Sequence, residues 1–336
     1  MHNREKNFLA IENKNRLAHM CFIRDRFKIA ASRNDIIGLD IANTSIKLAV
    51  LGNSRSSCQL KHYSIEAISG FNQESILKTS TELAALIKKM LAREEISTKK
   101  CIVALPDILA NSKWIRIDKS ANENLEIAIN LAVEEHIPYP LDAIYFDYQV
   151  FDIPDQNYLK VFLVACRKEH LDVRLEAIYK ANLIPLFIEI NSHALERAYI
   201  YLYPEYSKEP CSLLVIGDNQ LTFLFLEAAR QTHSYSESIC NIIDKALVLK
   251  QIHRCIHTFF LSNPDIKFKN LFFIGSDFVL LQDLEKAFGE LYGLQAEVVE
   301  HNQLLSCSKN LNVRVLEKIF PSLFLSIGLA LRGFMS

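Results

Sequence analysis

The apolar positions along this chain fall into two halves that open in the same way. Residues Ile36–Ile41 and Ser45–Leu51 are apolar runs separated by a short link at 42–44, a pattern that predicts a β-hairpin. The same pattern recurs at Ser212–Gly217 and Leu221–Leu226, around a polar turn. A repeat of this kind predicts two related α/β units that each begin with a hairpin.

Between and after the hairpins, short apolar runs alternate with segments of helical periodicity, as expected of α/β domains. Further strands are predicted at Leu60–Ile65, Cys101–Leu105, Trp114–Ile117, Tyr145–Phe151, Tyr158–Cys166, Leu186–Ile190, Leu271–Ile274 and Ala296–Val299. Helices are predicted at Gln73–Arg93, Leu125–Glu135, Lys168–Lys180, Ser192–Tyr201, Glu237–Leu261, Phe278–Phe288 and Pro321–Phe334.

The segment 204–210 is polar and has a proline at each end, which predicts a linker between two domains. We expect domain one at 35–203, with an inserted subdomain at about 110–182, and domain two at 211–336, with a helical subdomain at about 233–265. Residues 1–34 are rich in Arg and Lys and lack regular apolar spacing, so we expect a basic flexible extension. A membrane-surface arm, or a natural start at Met20, are the other interpretations.

Composition narrows the class of protein. Half of the 336 residues are apolar, which is typical of a globular chain with a sizeable core. The 38 basic residues balance 39 acidic residues, so no overall field favours nucleic acid. The eight cysteines are scattered without a CxxC pair, and no apolar run is long enough to span a bilayer, so we expect a cytoplasmic protein.

Two hairpins that open two α/β halves are the layout of the actin and sugar-kinase superfamily, and several motifs narrow the resemblance. These stretches are 38–47 (GLDIANTSIK), 134–142 (EEHIPYPLD), 147–150 (DYQV), 163–169 (LVACRKE), 321–323 (PSL) and 328–332 (GLALR). In them the chain resembles the PilM family of type IV pilus assembly proteins, which is related to the cell-division protein FtsA. The resemblance implies an α/β fold of the two-domain actin-like (ribonuclease H-like) type, with a small inserted α/β subdomain in domain one.

The resemblance also implies a function: a cytoplasmic scaffold, peripheral at the inner membrane, that holds the N-terminal tail of a PilN-like partner beside the insert. Strand edges of a small insert can pair with an extended peptide, and side chains along the strands can supply pockets. The candidate partner-binding residues are Tyr148, Val150, Val164, Arg167 and Lys168. Arg167 and Lys168 could equally be solvated residues that start a helix. Contacts with other pilus motor or inner-membrane proteins, and self-association, stay open.

By the same resemblance, ATP with magnesium would bind between the domains. The candidate nucleotide-binding residues are Asp40, Asn43, Thr44, Lys47, Gly217, Gly275 and Ser276. Three positions depart from the family pattern: Ala42 replaces a glycine of the first hairpin, Val215 replaces an acidic residue, and Ser276 replaces the second glycine of a pair. Glycine lets a phosphate approach the backbone, and a carboxylate would orient magnesium-bound water. We therefore expect ATP and magnesium binding to be weak or absent, with purely structural turns as the other interpretation.

An active actin-like ATPase or filament-forming protein is the alternative function, and it would need a glycine at position 42 and an aspartate at 215. A small-molecule kinase would need a catalytic aspartate that no motif marks. We expect no catalytic residue, because the chain has no GxSxG, Walker or Cys/His dyad motif. His253 and His257 lie one helical turn apart, but a third metal ligand is not evident, so we expect no metal site there.

Overall fold

The computed structural model describes residues 35–54, 57–68, 80–154, 156–217, 220–227, 230–239, 245–264, 267–292 and 295–334. The expected extension at 1–34, the first part of the Gln73–Arg93 helix and the turn at 218–219 lie outside these residues.

The described chain contains both strands and helices. The strands are β1 (Ile36–Ile41), β2 (Ser45–Ser54), β3 (Ser57–Ala67), β4 (Lys100–Leu105), β5 (Ala110–Asp118), β6 (Ile144–Asp152), β7 (Tyr158–Arg167), β8 (Ile184–Ile190), β9 (Cys211–Gly217), β10 (Gln220–Glu227), β11 (Arg230–Ser238), β12 (Asn270–Gly275), β13 (Gln295–Val298) and β14 (Ser306–Cys307). The helices are α1 (Ser80–Arg93), α2 (Leu125–His136), α3 (Lys168–Lys180), α4 (Asn191–Leu202), α5 (Lys245–Ser262), α6 (Phe278–Tyr292) and α7 (Val313–Leu331).

Two sheets repeat one topology. The first has the order β14-β3-β2-β1-β4-β8, and the second has the order β11-β10-β9-β12-β13. In each sheet three antiparallel strands are followed by two parallel strands, and β14 adds a short parallel strand at the edge of the first. This duplication confirms the two-domain actin-like α/β fold that the matching hairpins predict.

The insert is a separate small layer. Strands β5, β7 and β6 form a three-stranded antiparallel sheet, with β7 in the centre. Helix α2 covers one face of it, through a core that includes Ile129, Val133, Val161 and Leu163. The chain leaves the first sheet after β4 to build this layer and returns at β8.

Helices α4 and α7 lie between the two sheets. A continuous core joins Leu51 of the first sheet, Leu195 of α4, Phe272 of the second sheet and Phe320 of α7. Helices α1 and α3 cover the other face of the first sheet, and α5 and α6 cover the outer face of the second. The two halves therefore share one core, and the predicted boundary at 204–210 stays a prediction.

Several elements differ from the predicted bounds. Strand β11 was not predicted, because residues 230–238 (RQTHSYSES) are mostly polar and β11 lies at a sheet edge. The helix predicted from Glu237 begins, in the described residues, at Lys245, and Glu237 itself belongs to β11. Helix α7 begins at Val313 and contains Pro321, whereas the proline was expected to start the helix. Asn312 caps that helix by accepting a hydrogen bond from Val315 N.

Within the ranges given above, no helix is both long enough and apolar enough to cross a membrane.

Candidate functional site

The first hairpin places a buried ion pair beneath its turn. Asp40 and Lys47 are directly opposite each other on β1 and β2, and their charged atoms are 3.5 Å apart. Both side chains are buried, so each compensates the cost of burying the other. Asn43 and Thr44 follow in the turn, where Thr44 is exposed. The predicted residues Asp40, Asn43, Thr44 and Lys47 are thus brought together.

The backbone of this turn is already bonded. Ala42 N donates to Ser45 O at 3.0 Å, and Ile68 N donates to Thr44 O at 2.7 Å. Ala42 does not have a positive φ angle, so the turn does not require glycine for its own conformation. Alanine at position 42 can therefore affect only phosphate binding, through the space beside the turn and the availability of the backbone amide.

Two predicted glycines of the second half, Gly217 at the end of β9 and Gly275 at the end of β12, have different surroundings. A β-carbon at Gly217 would meet no described atom within 4 Å, so packing does not require glycine there. A β-carbon at Gly275 would lie 2.6 Å from Ile216 O, so close packing of β12 against β9 already requires glycine. Ser276 is exposed, and the next residue, Asp277, caps α6 by accepting a hydrogen bond from Leu280 N at 3.0 Å.

The described residues fit a magnesium nucleotide poorly. Val215 packs toward the core between the sheets, where an aspartate would have supplied a second carboxylate. Asp40 is engaged with Lys47, and Ala42 N is engaged within the turn. Among the described residues, no group of three or more His, Cys, Asp or Glu side chains could hold a metal ion.

Asp107 lies beyond the carboxyl ends of β4 and β8, on the same side of the first sheet as the turn after β1. Leu105 is opposite Ile190, so Asp107 and the start of α4 lie together just beyond these strands. Asp107 accepts a hydrogen bond from Ser192 N at 3.2 Å and so caps α4. Burial raises the pKa of Asp107 to about 6, although the bonds from Ser192 oppose the shift. Sequence reasoning did not mark Asp107 or His193, which also lies at this helix start.

The predicted partner-binding residues do not share one surface. Tyr148 is opposite Leu163, and Val150 is opposite Val161. These partners face α2, so Tyr148 and Val150 pack on the covered face of the insert sheet. Period-two alternation places every second residue of a strand on the same face, and the motif alone does not say which face is covered.

The other three residues occupy three different environments. Val164 is 0% exposed and belongs to the core under the first sheet, so a bound peptide would not reach it. Arg167 pairs with Glu169 and lies over the Tyr139 ring. Lys168 lies over the Tyr145 ring at 5.3 Å. In this structure Val164 therefore packs the insert against the first sheet, and its part in partner binding stays a prediction.

The open face of the insert sheet carries an aromatic cluster. Trp114, which is 52% exposed, lies 4.8 Å from Phe162 and 5.3 Å from Phe151, measured between ring centroids. Lys160 Nζ lies 4.2 Å above the Trp114 ring, and His193 of α4 lies 6.0 Å from Phe162. We call these five residues the aromatic face. It spans the insert and the first domain, and it lies on the opposite side of the insert sheet from α2.

A sequence signal for this face exists. Ile115 and Ile117 alternate with Trp114 and Arg116 along β5, which separates a buried from an exposed row. Trp114 is also the only tryptophan in the sequence. An exposed aromatic residue points to a binding surface where it adjoins other apolar side chains, as Trp114 adjoins Phe151 and Phe162.

Three further residues that could carry chemistry, His253, His301 and Cys307, make contacts with neighbouring side chains. His253 packs against Phe288 at 5.6 Å between ring centroids. Cys307 Sγ lies 3.2 Å from His301 Nε2, a pairing that the sequence did not show. Burial raises the pKa of the Cys307 thiol, and His301 Nε2 is also 2.7 Å from Leu305 O, so the pair does not form an activated nucleophile.

Comparison with known proteins gives consistent matches. The model of a family described as type IV pilus assembly protein PilM matches residues 38–239. The chain is similar in structure to a "PilM-PilN type IV pilus biogenesis complex", at 18% identity and a TM-score of 0.77, covering 91% of this chain and 100% of that one. It is also similar to the ethanolamine utilization protein EutJ from Carboxydothermus hydrogenoformans, at 10% identity and a TM-score of 0.51, covering 96% and 95%.

Proposed function

Since this chain belongs to the PilM family of type IV pilus assembly proteins, with the family model matching residues 38–239, we propose that it is a cytoplasmic scaffold of pilus assembly that binds the N-terminal tail of a PilN-like protein. The observation that carries the proposal is the aromatic face, which exposes Trp114 beside the insert. The similar structure named as a PilM-PilN complex supports the choice of partner. The partner's membrane anchor would hold this chain peripherally at the inner membrane.

The aromatic face suits an extended, partly apolar peptide. Three aromatic rings provide apolar area that costs little conformational entropy on binding, because they already contact one another. Strands β5 and β6 form the two edges of the insert sheet and can pair with a peptide backbone. Lys160, above Trp114, offers a cation to an acidic or carbonyl group of the peptide.

The residues first expected to bind the tail have supporting positions in this proposal. Val164 lies on the same face of the insert sheet as Phe162, in the part that packs against the core of the first sheet. Tyr148 and Val150 pack toward the face that α2 covers. Arg167 and Lys168 lie at the junction of β7 and α3, next to Tyr139 and Tyr145.

The test is a fluorescence-anisotropy titration with a synthetic peptide of the N-terminal tail of the PilN-like protein from the same organism. We expect micromolar affinity for the wild type, because a short tail loses chain entropy on binding. Trp114→Ala should weaken binding at least about tenfold, equal to about 1.4 kcal/mol, and Lys160→Glu should weaken it for a tail with acidic residues. Leu261→Ala is the matched control, since Leu261 is an exposed apolar residue of α5 in the other half.

Equal affinities for the wild type and a folded Trp114→Ala variant would remove the aromatic face from the proposal. A wild type that does not bind the tail at all would overturn the scaffold function in this form.

We propose in addition that ATP binding is weak or absent and that turnover is negligible. Val215 and the engaged Asp40 and Ala42 support this. Calorimetric titration with MgATP should give no submicromolar binding. The double variant Ala42→Gly with Val215→Asp should strengthen binding if these two positions account for the loss. A tight wild-type complex with steady hydrolysis would instead favour the alternative, an active actin-like ATPase.

A further inference from the structure

Asp107 lies where the chain leaves the first sheet for the insert. Strand β4 ends at Leu105 and β5 begins at Ala110, so Asp107 belongs to the short crossing between them. Leu109 and Ala110 pack against the core of the first sheet. The contacts of Asp107 therefore act on the segment that attaches the insert.

Asp107 also supplies the cap of α4, the helix that follows β8. The residue before this helix is Ile190, whose side chain makes no capping hydrogen bond. In its place, Asp107 Oδ2 accepts a hydrogen bond from Ser192 N at 3.2 Å, across 85 positions of sequence. The positive end of the helix dipole favours an ionised carboxylate at this point. One side chain thus joins the crossing to the first turn of α4.

His193, the residue after Ser192, extends this contact to the aromatic face. Its ring centroid lies 6.0 Å from that of Phe162, and the Phe162 centroid lies 4.8 Å from that of Trp114. His193 belongs to α4, whereas Phe162 and Trp114 belong to strands of the insert. The aromatic face therefore keeps its shape only while the start of α4 and the insert keep their relative positions.

We propose that Asp107 is a positioning residue of the aromatic face: its ionised carboxylate holds the start of α4, and with it His193, against the insert. A protonated carboxyl group is a weaker acceptor and lacks the charge that the helix start favours. Protonation therefore loosens the first turn of α4 and displaces one wall of the aromatic face. As a consequence, which rests on the proposed function, the tail binds most tightly while Asp107 is ionised.

The surroundings of Asp107 determine the pH range of this effect. Burial raises the pKa of Asp107 from its ordinary 3.8 to about 6, although the hydrogen bonds from Ser192 lower it. A carboxyl group whose pKa is raised in the folded protein makes folding more favourable as the pH falls from 7 toward 4. A loss of tail binding near pH 6 would therefore come without a loss of stability from this group, which separates the effect from acid unfolding.

Other charged groups lie on the elements that meet at this junction. They are His193, Glu196 and Arg197 of α4, Glu189 of β8 beside Arg332, Asp40 and Lys47 of the first hairpin, and Asp147 and Lys160 of the insert. Glu189 stays ionised near pH 6, because its pKa is about 2. Histidine side chains ordinarily titrate near pH 6.5, so the variants must separate Asp107 from His193.

The experiment uses the full chain and two variants at position 107, with two measurements made at about pH 7.5 and at about pH 5. Hydrogen exchange followed by mass spectrometry measures the protection of the backbone amides at 191–195 without any partner. Fluorescence anisotropy measures the affinity for the synthetic tail of the PilN-like protein from the same organism. Each variant is compared with the wild type at the same pH, so the intrinsic exchange rate and the titration of the tail cancel.

In the wild type, protection and affinity should both be lower at pH 5. The affinity should fall by up to about tenfold, because about one carboxyl group in ten is ionised one unit below its pKa. Asp107→Asn keeps an acceptor that does not titrate, so it should match the wild type at pH 7.5 and lose the pH dependence. Asp107→Ala should show low protection and low affinity at both pH values.

Asp277→Ala is the matched control, because Asp277 caps α6 in the second half by accepting a hydrogen bond from Leu280 N at 3.0 Å. It should leave both measurements as in the wild type. An Asp107→Asn variant that keeps the wild-type pH dependence would assign the effect to another group, such as His193, and overturn the proposal. So would an Asp107→Ala variant with wild-type protection and affinity. A wild type that binds no tail at either pH would overturn the proposed function, while exchange at 191–195 would still decide whether Asp107 positions the start of α4.

Discussion

At the scale of single residues, a buried ionic cluster surrounds Glu189. This carboxylate is 0% exposed and receives hydrogen bonds from Arg197 at 2.5 and 2.6 Å, while Arg332 lies 3.2 Å away. Arg197 also donates to Gly328 O at 3.0 Å. Burial alone would raise the pKa of Glu189, but the two arginines outweigh it and lower the pKa to about 2. The cluster joins β8, α4 and the end of α7.

We expect Glu189→Gln to cost about 3–5 kcal/mol in the free energy of unfolding, because it leaves two arginines without their buried counter-charge. Urea denaturation measures this. Glu176→Gln is the matched control, since Glu176 forms an exposed pair with Lys180 and its loss should leave stability almost unchanged. Two variants of equal stability would contradict the assigned role of the cluster.

The lowered pKa also fixes the direction of the pH dependence. Stability from Glu189 is complete above its ordinary pKa of 4.5 and is lost as the pH falls toward about 2. The Gln variant should therefore lose less stability than the wild type over that acidic range.

At the scale of elements, close approach of α7 to β1 determines the packing between the sheets. A β-carbon at Gly38 would lie 1.8 Å from Ser326 O, and one at Gly328 would lie 2.0 Å from Ala194 O. Both glycines thus allow α7 to contact a strand on one side and α4 on the other. The family-like sequence around Gly38 therefore has a packing reason that does not depend on a nucleotide.

We expect Gly38→Ala to destabilise the protein by at least about 1–3 kcal/mol, because backbone atoms of α7 would have to move. Gly217→Ala is the control. Gly217 ends β9, the strand that opens the second half as β1 opens the first, but a β-carbon there would meet no described atom within 4 Å. Thermal unfolding of both variants checks this. A Gly38 variant as stable as the Gly217 variant would show that α7 adjusts without cost.

The sequence predicts an element well when most of the side chains of that element are apolar and buried. Strands such as β1 and β9 are buried along almost their whole length, so their apolar runs identify them. The polar strand β11 has no such run, and only its pairing with β10 makes it a strand. The helix was predicted to start at Pro321, but α7 starts at Val313 and contains the proline, because its apolar packing stabilises the helix despite the proline. The sequence does not show that Tyr148 and Val150 pack toward α2, since alternation does not reveal which face a helix covers.

At the scale of the whole molecule, the two halves are not independent. Helix α7 belongs to the second half in sequence, but its Phe324, Ile327 and Ala330 pack in the core that includes Ala49 and Leu51 of β2. Strand β14 extends the first sheet. Without these segments the inner face of the first sheet would expose a large apolar surface to water.

We therefore expect the fragment 35–203 to lack cooperative unfolding when it is produced alone. Joint production with the fragment 204–336 should restore a folded complex, because the second fragment supplies α7 and β14. Circular dichroism during heating, with co-purification of the two fragments, measures this. A fragment 35–203 that melts cooperatively by itself would show that the shared core is dispensable.

The pairing of β14 with β3 also has a consequence for the order of events during synthesis. Gln59 Nε2 donates to Cys307 O across 248 positions of sequence, and Ser326 Oγ donates to Lys47 O across 279. Contacts so distant in sequence make folding slow, since a long loop must close before they form. As the chain emerges from the ribosome, one apolar face of the first sheet stays uncovered until β14 and α7 have been translated. We therefore expect the first half of the chain to require chaperones in the cell until α7, which lies in the second half, covers its apolar face.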